Sequence, residues 1–68
     1  GGVEVVCLLN ERNGELRGNL RAKTGFDVGS VARALGGGGH HAAAGFTVAD
    51  TSAEAFLPRL LGMLPGGE

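Results

Sequence analysis

Hydrophobic and polar positions change their period several times along the chain, and each change marks an element. Val3-Glu4-Val5-Val6-Cys7-Leu8-Leu9 is an apolar, β-branched run that ends in the turn-prone Asn10-Glu11-Arg12-Asn13-Gly14, which predicts a strand and a hairpin turn. The next segment alternates cleanly. Leu16, Gly18, Leu20 and Ala22 fall on one face of a strand and Arg17, Asn19, Arg21 and Lys23 on the other, because successive side chains in a strand point to opposite sides. Val28, Val31, Ala32 and Leu35 then follow at helical spacing behind Asp27, a good N-cap, with Gly36 as a natural stop. After the run Gly36-Gly37-Gly38-Gly39-His40-His41-Ala42-Ala43-Ala44-Gly45, the segment Phe46-Thr47-Val48 reads as another strand. Thr51 with Glu54 three residues on is a capping-box signal, and Phe56, Leu57, Leu60, Leu61 and Leu64 give an apolar helical face. Pro58 lies within that face and predicts either a kink or a helix that begins near it.

These elements predict one small α+β domain over residues 1–68. Strands near 3–9, 16–23 and 45–48 form a three-stranded mixed or antiparallel sheet, and two helices pack on it. The order is strand, strand, helix, glycine loop, strand, helix. A chain of 68 residues buries only about 60% of its unfolded surface, so its core is small. The single Cys7 excludes an internal disulfide and points to a reducing, cytoplasmic setting, and between Val6 and Leu8 in a strand it reads as a buried, inert thiol. The apolar run from Val5 to Leu9 is too short and lacks the basic flank of a signal peptide, and nothing in the sequence is long enough to span a membrane. The chain begins Gly1-Gly2-Val3 and reads as a piece of a longer protein.

Charge narrows the class of partner. The net charge is −1, which lacks the basic footprint of a generic binder of long nucleic acid. Between Leu16 and His41, however, Arg17, Arg21, Lys23 and Arg33 face Asp27 alone. A local basic surface on a neutral body suits a small anionic ligand.

The glycine run is where the chemistry concentrates. Without Cβ atoms the backbone can approach a ligand closely and take positive φ, so successive N–H groups can converge on an anion. A helical turn over His40 to Ala44 would aim further amides at the same point. His40 adds a donor at the rim, and Arg21 can reach in from the neighbouring strand with a bidentate fork. Taken alone, each part has a plainer reading: a glycine run is a loop or linker, Arg21 and Lys23 are solvent-facing strand residues, and Phe26 and Phe46 are core. Adjacent His40 and His41 point in different directions and have no further ligands to complete a zinc site, so no metal is assigned to this chain. No Lys-Ser or Lys-Thr follows the glycines, which excludes a P-loop, and a run that follows a helix is not a dinucleotide fingerprint.

The segment Leu20-Arg21-Ala22-Lys23, the helix Val28 to Leu35 and above all Gly36 to Phe46 resemble the DHH-associated C-terminal domain of the DHH phosphoesterases, particularly the nanoRNase and oligoribonuclease branch related to RecJ. The resemblance covers most of the chain. It implies a lobe excised from a two-domain phosphoesterase, one that holds the phosphate and sugar of a substrate across a cleft from a separate catalytic domain. That domain binds manganese through Asp and His residues. By resemblance, Arg21, Gly37, Gly38, Gly39 and His40 match the family's substrate-binding elements, with Asn19, Lys23 and His41 as accessory candidates. The Asp-His-His segment is absent and no other Asp set replaces it, so the resemblance assigns this chain no catalytic residue and no cofactor of its own. The implied substrates are short RNA, single-stranded DNA or small nucleotides. Two other classes remain open at this point: a stand-alone protein-interaction module with a structural glycine loop, and a metal binder built on His40 and His41.

Overall fold

The computed structural model describes residues 4–23 and 25–65. The elements run β1 (Val5–Arg12), β2 (Glu15–Ala22), α1 (Val28–Ala34), β3 (Gly38–His40), β4 (Ala43–Ala49) and α2 (Ala53–Gly62). All three strand pairs are antiparallel, in the sheet order β1-β2-β4-β3. The α+β class expected from the sequence holds, but the sheet has four strands and the fourth element is a strand. The supposed glycine loop is β3, an edge strand that turns at His41-Ala42 and pairs back on β4. Of the first strand expected at 3–9, Val3 lies outside the described residues, and β1 continues beyond Leu9 to Arg12.

Local chemistry accounts for each boundary. Asn13 and Gly14 both take positive φ, 52° and 79°, which is the two-residue hairpin turn that matches the twist of the strands it joins. Asp27 caps α1 by accepting the Ser30 amide at 3.2 Å. At the other end Gly36 sits at φ 86° and donates to the Arg33 carbonyl, while the Gly37 amide donates to the Ala32 carbonyl at 2.8 Å. Those two bonds are the Schellman closure of a helix. The second helix is capped by Ser52, whose hydroxyl accepts the Ala55 amide at 3.1 Å, one residue later than the Thr51 signal suggested. Thr51 instead donates to the Ser52 carbonyl at 3.5 Å. Pro58 lies inside α2, which begins five residues before it at Ala53, so the helix carries one missing backbone donor and does not start at the proline.

Both helices lie on one face of the sheet, α1 against β2, β3 and β4 and α2 against β1. The core between them is Leu16, Leu20, Val28, Val31, Ala32, Ala44, Phe46, Phe56 and Leu60. Phe46 is the hinge of that core. Its ring lies over Gly18, its partner across β2 and β4, where a Cβ would fall inside the ring. Phe56 packs on its other side with ring centroids 5.8 Å apart. Cys7 lies half-buried on the same inner face, opposite Leu20, and burial raises its thiol pKa above the ordinary value. No helix among the described residues is long and apolar enough to cross a membrane.

Two stability tests follow from this packing. Gly18→Ala should lower stability by about 1–3 kcal/mol, because a methyl group there displaces the Phe46 ring, whereas Gly38→Ala should stay within about 0.5 kcal/mol, since its Cβ meets nothing within 4 Å. Urea unfolding reads both, and a Gly18→Ala midpoint equal to that of the parent chain would remove Phe46 from its seat. Ser52→Ala should cost about 1 kcal/mol as a lost helix cap, and Thr51→Ala less than half as much. The reverse ranking would restore Thr51 as the cap.

Candidate functional site

Because both helices cover one face, the opposite face of the sheet is open. Register decides what stands on it. Residues directly opposite one another on neighbouring strands share a face, and Leu16, Gly18 and Leu20 are buried beneath the helices. Arg17, Asn19 and Arg21 of β2 therefore project from the open side, and each heads a cross-strand row. One row runs Val6, Arg21, Ala43, His40, and the next Leu8, Asn19, Gly45, Gly38. A third runs Asn10, Arg17, Thr47.

The first two rows frame an open depression of about 550 Å³, lined by Arg21, Asn19, Ala43, Gly45, Gly38 and the exposed apolar side chains of Val6 and Leu8. At about 4.8 Å between strands, the Arg21 and His40 backbones stand about 10 Å apart, with only the methyl group of Ala43 between them. That is a shallow trough with a donor on either bank and a floor almost without side chains. The Ala42 amide lies 3.5 Å from Nδ1 of His40, at the outer limit of a hydrogen bond, which leaves Nε2 as the free edge of the ring. The His41 ring lies beside it, tilted by 37° with centroids 4.2 Å apart, so the two do not point apart as expected of adjacent residues, and the His41 carbonyl accepts the Val28 amide.

Each glycine of the run has a separate duty. Gly36 closes α1. Gly37 passes so near β4 that a Cβ would overlap the Gly45 carbonyl oxygen and come within 2.7 Å of the Phe46 Cα. Gly39, at φ 140°, would place a Cβ 2.7 Å from the Ala44 Cα. A Cβ at Gly38, as at Gly36, would meet nothing within 4 Å, and of the two only Gly38 lines the depression. The expected nest of converging amides, and the helical turn over His40 to Ala44, are not what forms. In an extended strand successive N–H groups point to opposite sides, so those of Gly38 to His40 are divided between β4 and the free edge.

Among the sequence-predicted residues, the structure gathers Arg21, Asn19, Gly38 and Gly39 around the depression, with His40 in the row that bounds it, and leaves Gly37 beneath a neighbouring one. Lys23 is drawn off into an exposed ion pair with Glu4 at 3.7 Å, and Arg33 into another with Asp27 at 3.6 Å. Among the described residues Arg17 and Arg21 have no carboxylate within ion-pair distance and their cross-strand neighbours are uncharged, whereas Arg12, on the same face, stands opposite Glu15. Sequence reasoning missed Val6, Leu8, Ala43 and Gly45 as lining residues. The apolar run that holds Val6 and Leu8 looks buried until its register with β2 is known. Among the described residues no three His, Cys, Asp or Glu side chains come together as a metal site.

A comparison of the chain with curated proteins finds no match. A family model described as the DHHA1 domain matches residues 1–64, which takes in every strand and helix of the structure. The chain belongs to the DHHA1 domain family, the associated domain of the DHH superfamily.

Proposed function

We propose that the open face is the phosphate-gripping wall of a nucleotide or short-oligonucleotide phosphoesterase, of the nanoRNase and oligoribonuclease type. The observation that carries this reading is the row Arg21, Ala43, His40 across three strands, over a floor of Gly38 and Gly45. A phosphate seated above Ala43 takes a forked, charge-assisted contact from Arg21 and a single donor from His40. The glycine floor allows the ligand to lie close to the sheet, and Val6 and Leu8 offer an apolar ledge to whatever the phosphate is attached to.

In this reading the bond is broken by a catalytic domain of the same parent protein, in the cytoplasm, and the ligand is held between the two. The manganese that such chemistry uses has no fitting donor set here, since the described residues bring no three ligating side chains together. The chain's own task is to bind and orient the phosphate. A pure protein-interaction module would leave Arg21 without an anion to meet, and predicts no affinity for nucleotides at all.

Binding tests the proposal directly. In a titration of the chain with a nucleoside 5′-monophosphate, followed by amide chemical shifts, Arg21→Ala should weaken binding about tenfold, as for a lost hydrogen bond to a charged group. Gly38→Val should weaken it comparably by filling the trough, without unfolding the chain, because a Cβ at Gly38 meets nothing within 4 Å. If both variants bind as the parent chain does, the row is not a phosphate site. With manganese added, the chain alone should release no mononucleotide from short RNA.

A further inference from the structure

The phosphate trough is not the only depression on the open face. A second one, of about 350 Å³, adjoins it along β2 and is lined by Arg17, Asn19, Thr47, Gly36 and Gly37. The two share Asn19 and Gly45 and nothing else in polar side chains than the Asn19 amide. That amide forms the ridge between them, because its Oδ1 lies over Gly45, 3.3 Å from where a Cβ would stand. Arg21 thus lines one depression and Arg17 the other. Their backbones are four residues apart on one strand face, about 13 Å.

We propose that the depression at Arg17 is a second anion subsite, which takes the phosphodiester two nucleotides along a ligand whose first phosphate lies at Arg21. The ligand class is then a short single-stranded oligonucleotide, in preference to a mononucleotide. This rests on the phosphate reading of the Arg21 row. Arg17 is exposed and has no ion-pair partner among the described residues, so its fork is free to bind. The Thr47 hydroxyl stands opposite it across the β2–β4 pair. The end of α1 would ordinarily repel an anion there, but the carbonyls of Val31, Ala32 and Arg33 are already taken by the amides of Leu35, Gly36 and Gly37. Beyond Arg17 on the same strand face comes Glu15, which stands directly opposite Arg12 of β1, so that end of the face adds no net positive charge for a further phosphate. The track is therefore short as well as cationic.

The test compares a 5′-phosphorylated trinucleotide with a nucleoside 5′-monophosphate, titrated into the isotopically labelled chain at several salt concentrations. Arg17→Ala should weaken the trinucleotide about tenfold and lower the slope of log affinity against log salt by about 0.7, while monophosphate affinity stays within about twofold. Arg21→Ala should weaken both ligands, and Arg17→Lys should recover the salt slope. An unchanged trinucleotide affinity in Arg17→Ala, with Arg21→Ala still impaired, overturns the second subsite and leaves the first intact. Equal losses for both ligands in Arg17→Ala mean that the two arginines share one phosphate, which also overturns it. Should Arg21→Ala change nothing either, or the parent chain bind neither ligand, the underlying phosphate reading fails with it.

Discussion

The ring of Phe46 lies between Gly18 on the central strand β2 and Phe56 on α2, and the geometry of the open face depends on that contact. A ring of this size fits against β2 only because its cross-strand partner has no side chain. Seating it pins the register of β2 against β4, and a slip of one residue would turn every side chain to the opposite face. Leu16 and Leu20 would then be exposed, and Arg17, Asn19 and Arg21 would be driven under the helices. The burial of the two leucines and the ring, at about 1.5–3 kcal/mol each, is thus what holds the arginines outward.

The consecutive glycines serve this arrangement in two halves. Gly36 and Gly37 end a helix whose last carbonyls they satisfy, and Gly37 and Gly39 let β3 run closer to β4 than any side chain would permit. Helix α1 braces the strand from beneath, with the His41 carbonyl bound to its first amide and Gly29 near the His40 carbonyl. Gly38, beside Gly45 of β4, is left as a floor. A stretch that resembles a flexible phosphate loop is in fact tightly packed, and what it gives the open face is a smooth surface and not a ring of amides.

Electrostatics divides the basic residues in the same spirit. Lys23 and Arg33 each meet a carboxylate at the surface, an interaction worth little in stability. Arg17 and Arg21 are held in the central strand β2, where their direct cross-strand neighbours are Asn10 and Thr47, and Val6 and Ala43. Uncharged cross-strand neighbours leave their charge uncompensated, so a chain with a net charge of −1 still presents a local cationic patch.

How much of this was legible beforehand follows from the range of the forces involved. The alternation from Leu16 to Lys23 placed Arg17, Asn19 and Arg21 on one polar face, and the spacing behind Asp27 placed α1, because both depend on residues only a few positions apart. The same locality made the Asn13-Gly14 turn and the Gly36 stop readable. What the local pattern did not hold was the state of Gly38 to His40, which have no strand propensity and become a strand only because β4 is there to pair with them. Nor could it tell that Val6 and Leu8 stand in the open beside Arg21, or that Lys23 would be claimed by Glu4. Those are questions of which distant residues become neighbours across the sheet, and hydrogen-bonded register, a tertiary property, decides them.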